Sequence, residues 1–142
     1  MHINFLDDLN IAQKKAVEKT DGPVLIVAGP GSGKTRVITS RIAYLIQEQG
    51  VNPYNIAAVT FTNKAASEMK DRLSSMLGRN AERVTARTFH SFCSMVLRRE
   101  GGLVGLDTDF VIFDDNDQME TIKKAMKDLD IDPKSFAPRN IL

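Results

Sequence analysis

"IVAGPGSGKT", residues 26–35, runs from apolar residues into a glycine-rich turn and closes on Lys-Thr. Glycines in such a turn let successive backbone N–H groups converge on an anion, and the start of the helix behind it adds the positive end of its dipole. Lys34 can reach the β- and γ-phosphates of a nucleoside triphosphate, and the Thr35 hydroxyl can ligate Mg²⁺. The segment Ala28, Gly29, Pro30, Gly31, Ser32, Gly33, Lys34, Thr35 departs from the usual pattern at its first position, where Ala28 replaces glycine. It reads as a phosphate-binding loop.

The flanks agree with a strand–loop–helix unit. "VLIVA" (24–28) is a short apolar run suited to a buried strand, and "KTRVITSRIAYLIQEQG" (34–50) is amphipathic at helical spacing. Its inward side is expected to carry Val37, Ile38, Ile42, Leu45 and Ile46, with Gly50 ending the helix. Upstream, "LNIAQKKAVEK" (9–19) places Leu9, Ala12, Ala16 and Val17 at helical spacing. Downstream, "NIAAVTFT" (55–62) and "RVTAR" (83–87) read as further strands. "NKAASEMKDRLSSMLG" and "TFHSFCSMVLRREG" read as helices, the second capped by Thr88. Strand and helix alternating three times predict an α/β chain with a parallel sheet and right-handed crossovers. Ligands of such sheets collect at the C-terminal ends of the strands, here near residues 28, 62 and 87.

After Leu103 the texture changes. "FVIFDDNDQMETIKKAMKDLDI" is an apolar run, an acidic turn and a helix expected to point Ile122, Ala125, Met126 and Leu129 inward. Asp114 and Asp115 allow two readings, the metal-binding end of a strand or the N-cap and first-turn acids of a helix. The acids run directly into the helix, which favours the cap.

Composition narrows the class without choosing a ligand. At 142 residues with 42% apolar and 26% charged residues, the chain fits a soluble domain with a real core. No apolar stretch approaches the ~20 residues of a membrane span. "MHINFLDDLN" lacks the basic start and apolar core of a secretory signal. A single cysteine, Cys93, excludes an internal disulfide and suits a reducing cytoplasm. The net charge of +1 conceals an asymmetry: +1 over residues 1–63, +5 over 64–99 and −5 over 100–142. The middle segment could face a polyanion or be an ordinary solvated surface.

Candidate ligand groups stand at the expected strand ends. Gln13 is either a surface glutamine or an amide whose donor and acceptor match the edge of adenine. Phe61, Asn63 and Lys64 bring an aromatic, an amide and a cation to one corner, a set suited to base stacking and phosphate contact. The plainer alternative makes Phe61 core and Asn63 a helix cap. Thr88, Phe89, His90 and Ser91 repeat the situation at the third strand.

Together, "LNIAQ", "AGPGSGKT", "VTFTNKAASEMKDR" and "TFHSF" resemble, in order and spacing, the Q motif and motifs I, Ia and Ib of the UvrD/Rep/PcrA family of superfamily 1 DNA helicases. The resemblance extends into the C-terminal segment, which looks like the start of that family's helical insertion. It implies an incomplete RecA-like parallel sheet flanked by helices over residues 1–105, with a truncated helical insertion over 106–142. It further implies that Gln13 recognises adenine, that Gly29 to Thr35 hold the triphosphate and Mg²⁺, and that Arg36 lies near the phosphates. Phe61, Asn63 and Lys64 would contact single-stranded DNA, and Thr88 and His90 would continue the track.

The implied activity is ATP-dependent unwinding with 3′ to 5′ polarity, in DNA repair or replication, at single-stranded DNA and single/double-strand junctions. Hydrolysis by such loops also needs a carboxylate on a neighbouring strand and a group that positions water. The resemblance puts those beyond residue 142 and aligns "FVIFDD" with the insertion. The chain is therefore expected to be an N-terminal portion, cut at Leu142, that neither hydrolyses nor unwinds alone and leaves an exposed sheet edge or apolar patch. The alternative is a small self-contained phosphotransferase using Asp114 as its Mg²⁺ ligand.

Overall fold

The computed structural model describes residues 6–141. Their contacts divide into two compact units, Met1–Met95 and Val96–Leu142. The first contains helix α1 (Ile11–Glu18), helix α2 (Lys34–Gln47), strand β1 (Ala57–Thr60), helix α3 (Asn63–Leu77), strand β2 (Thr85–Thr88) and the first turns of helix α4 (Phe89–Glu100). The second contains the rest of α4 and helix α5 (Asp115–Asp128).

β1 and β2 pair in parallel, with Ala57 opposite Thr85 and Thr60 opposite Thr88. Helix α3 is the crossover between them, as a parallel pair requires. One face of the pair is sealed. Ala58 and Ala86 point into a core with Ile42, Ala43, Met69, Leu73, Leu77, Ala81 and Val84. Along α3 the buried residues Ala66, Met69, Leu73 and Leu77 recur every three or four positions, which lays one stripe on the strands. Ala57, Val59, Thr85 and Arg87 occupy the other face, and none of them is buried.

Local chemistry sets the ends of the elements. Asn10 and Gln13 form a reciprocal capping box at the start of α1. At the other end, Arg41 Nη1 from α2 donates to the carbonyls of Ala16 (2.8 Å), Val17 (3.4 Å) and Lys19. Gly78 ends α3 at φ +55°, a conformation that costs little without a Cβ. A second core joins Leu9 and Val17 to Val37, and so holds α1 against α2.

Three expectations change. Residues 24–28 form no strand: a strand exists through its neighbours, and neither β1 nor β2 pairs with this segment. Ile26 packs on the second core, whereas Leu25 and Val27 are each 88% exposed. The expected exposed apolar patch lies here. Within α2, Val37 and Ile42 are buried but Ile38 is exposed, and its inward side also takes Thr39, Ser40 and Ala43. Of the four residues expected to point inward from α5, Met126 is buried and Ile122 half-buried, while Ala125 and Leu129 are exposed.

Candidate functional site

The glycine loop has the backbone that anion binding asks for. Gly31 and Gly33 adopt φ +74° and +84°, the left-handed region where a Cβ would be strained. Gly33 is the N-cap of α2, and no side chain caps that end among the described residues. The first N–H groups of α2 therefore remain for an anion. Ser32 folds back on the loop, its hydroxyl donating to the Gly29 carbonyl at 2.7 Å. Lys34 Nζ donates to the carbonyls of Ala28 and Gly29 at 2.9 and 2.8 Å. The ammonium is thus stationed at the mouth of the loop, with one of its three donors left over.

Gln13 is tied directly to this loop. Its Nε2 donates to the Ser32 carbonyl at 3.1 Å, and its Oε1 accepts the Asn10 N–H at 3.0 Å. A Cβ built on Gly33 would stand 3.1 Å from Gln13 Nε2, so the glycine is also what lets the amide approach. A primary amide carries two donors and two lone pairs; Gln13 keeps one of each. A cleft of about 220 Å³ opens between α1 and the loop, lined by Gln13, Ile26, Ser32, Lys34 and others. Arg36 extends to Asp8, with Nη2 and Oδ2 3.0 Å apart in an exposed ion pair.

A second set gathers at the C-terminal ends of the two strands. Because Thr60 is in register with Thr88, the residues that follow them, Phe61 and Phe89, leave the sheet side by side. Their ring centroids are 5.5 Å apart with the planes inclined at 43°. Phe61 is 89% exposed and Phe89 45%. Two touching rings that face solvent offer aromatic surface rather than core.

The plainer readings of this corner are overturned. Phe61 is not core. Asn63 is not the cap of α3 either, because Thr62 takes that place, its Oγ1 accepting the Ala65 N–H at 3.2 Å. Asn63 and Lys64 begin the helix, exposed. Thr88 is 8% exposed and caps α4 as expected, its Oγ1 accepting the Ser91 N–H at 3.2 Å. His90 is exposed beside it. The sequence reads Phe89 only as one of the residues at the third expected strand end; its ring contact with Phe61 emerges from the structure. Its signal was its position directly after a strand in register with the one that precedes Phe61.

Asp114 is the N-cap of α5. Its Oδ1 accepts the N–H groups of Asn116 (2.8 Å) and Asp117 (2.9 Å), and Asp117 Oδ2 accepts the Asp114 N–H at 3.0 Å. Residues 110–113 form no strand.

The arrangement defines an α/β chain with a glycine-rich anion loop at the start of one helix and exposed aromatics at its strand ends. The UvrD/REP helicase N-terminal domain family matches residues 9–142, and the chain belongs to that family. It is 53% identical over 138 residues to ATP-dependent DNA helicase PcrA of Bacillus subtilis (strain 168), covering 97% of this chain and 19% of that protein. To the PcrA helicase of Staphylococcus aureus (strain Mu50) it is 51% identical over 135 residues, covering 95% of this chain and 18% of that protein. The chain thus spans about a fifth of the length of these relatives. Among the described residues no helix is long and apolar enough to cross a membrane.

Proposed function

We propose that this chain is the ATP-binding, single-stranded-DNA-contacting N-terminal portion of an ATP-dependent DNA helicase with 3′ to 5′ polarity, working in the cytoplasm in DNA repair or replication. The observation that carries the DNA contact is the exposed Phe61–Phe89 ring pair at the paired strand ends, with Asn63 and Lys64 one turn away. Bases stack on such rings regardless of sequence, and a cation beside them meets the phosphate backbone.

The glycine loop suits a triphosphate with Mg²⁺. The N–H groups at the start of α2 and the Lys34 ammonium would hold the phosphates, the Thr35 hydroxyl would face the metal, and Arg36 would leave Asp8 for the phosphates. Gln13 would use its remaining donor and acceptor on adenine. Bound Mg²⁺ neutralises charge on the phosphates. The family relationship supports ATP as the nucleotide and DNA as the polymer; action at single/double-strand junctions is part of the proposed reading. The boundary between the RecA-like part and the helical insertion falls near residue 105 in this reading. Hydrolysis and unwinding belong to the longer protein.

The cap at the start of α5 speaks against the phosphotransferase alternative, because Asp114 Oδ1 is engaged by the Asn116 and Asp117 N–H groups. The test is binding of a labelled oligodeoxythymidine and of ATP to the chain and two variants. Phe61→Ala is expected to weaken the oligonucleotide by ~1–3 kcal/mol, the worth of one stacked base, and to leave ATP unchanged. Lys34→Ala is expected to do the reverse. Equal oligonucleotide affinity in Phe61→Ala would sink the DNA assignment, and ATP turnover abolished by Lys34→Ala would sink the claim that hydrolysis lies elsewhere.

A further inference from the structure

Beside the open edge of β2 lies a cavity of about 450 Å³ that no ligand motif of the sequence accounts for. It falls within the ~300–1,000 Å³ typical of ligand clefts. Lys70 and Ser74 from α3, Arg83 from the turn after α3, Arg87 from β2 and Tyr54 line it, together with the single carboxylate Glu82. Three cations thus converge on a volume with one acid. None of the three is in an ion pair among the described residues, and Glu82 does not neutralise any of them. The Arg83 guanidinium lies over Tyr54, its central carbon 5.8 Å from the ring centroid, a cation–π contact that holds the side chain at the cavity. Arg87 is steadied by a 3.3 Å hydrogen bond from Nη1 to Ser91 Oγ.

We propose that this cavity binds a phosphodiester of a nucleic-acid strand, as a second contact continuous with the Phe61–Phe89 corner. The inference rests on the single-stranded-DNA reading above. Continuity comes from the two elements that build both places. Arg87 stands two residues before Phe89 on β2, and Lys70 stands six residues after Lys64 on α3, about 9 Å along the helix axis. A strand stacked on the rings would continue along β2 and α3 toward the cavity, which Arg87 and Lys70 line. Planar guanidinium forks match phosphate oxygens in pairs, and a nearby ammonium adds a point charge. This is a recognition site for backbone, not for base identity.

The salt dependence of binding separates the cavity from the aromatic corner. Log affinity against log salt falls with a slope of about 0.7 per neutralised phosphate for a single strand. Labelled oligodeoxythymidine is titrated at several salt concentrations into the intact chain, Lys70→Ala, Arg83→Ala and Phe61→Ala. All three side chains are exposed, so the fold should tolerate each change. Each cavity variant is expected to lower the slope by about 0.7, whereas Phe61→Ala lowers affinity at every salt and keeps the slope.

Unchanged slopes in both cavity variants overturn the proposal while leaving the stacking reading in place; that is also the result if the cavity's ligand is an acidic protein segment. Lowered slopes with Phe61→Ala binding normally support the cavity and overturn the stacking reading. No binding by the intact chain overturns both. In parallel, amide signals of residues 81–87 are followed during titration with inorganic phosphate alone. Saturation there, together with unchanged oligonucleotide slopes, identifies a site for free phosphate and also overturns the proposal.

Discussion

Gln13 shows how one side chain serves two purposes. Half of its hydrogen-bonding capacity ties α1 to the glycine loop through Asn10 and Ser32, and half remains open. Gln13→Glu keeps the acceptor for the Asn10 N–H but removes both amide donors, so it sets a carboxylate against the Ser32 carbonyl. Gln13→Ala removes everything. If the open half reads adenine, both variants weaken ATP and, more tellingly, reduce its preference over GTP about tenfold, the order of one hydrogen bond to a polar edge. If Gln13 only braces the loop, ATP and GTP weaken together. Competition titrations with the two nucleotides decide between these outcomes. At this scale much of the candidate site could be read from the sequence, because loop, amide and aromatic each carry their chemistry in their residue type. The contact between Phe89 and Phe61 could not. It is a product of strand register, which appears only once β1 and β2 are paired.

Elements were legible where a local rule fixes them. All four helices expected from periodicity in residues 9–101 form, and the glycine stop at Gly78 and the threonine cap at Thr88 sit where side-chain chemistry places them. Segment 24–28 failed for the opposite reason. Apolar composition can recommend a strand, but ladder hydrogen bonds from a neighbouring strand make one, and no ladder includes this stretch among the described residues. The acidic turn before α5 is decided by its cap. Asp114→Ala removes the acceptor of two N–H groups, and its expected cost is about 0.5–2 kcal/mol of stability. Urea unfolding measures that cost, while ATP affinity should stay level. A loss of ATP affinity without a loss of stability would return Asp114 to the metal-ligand role.

For the whole molecule the governing fact is how little sheet there is. Two four-residue strands carry the only ladder among the described residues, and a two-stranded pair depends on its helices for stability. The core beneath it is real: Leu73 and Ala43 are fully buried. What that core does not cover is the apolar segment before the glycine loop, where Leu25 and Val27 face solvent on either side of an inward Ile26. A segment outside any sheet ladder that turns apolar side chains outward is a template for association with another chain. The chain should therefore self-associate as concentration rises. Leu25→Asp with Val27→Asp should suppress association, because a charge on each outward position opposes both pairing and burial. Ile26 keeps its place in the second core, so unfolding midpoints should move little. Sedimentation velocity over a hundredfold range of concentration reads the result. Association undiminished in the double variant would locate the sticky surface elsewhere, and Val111 and Ile112, both exposed, would be the next pair to change.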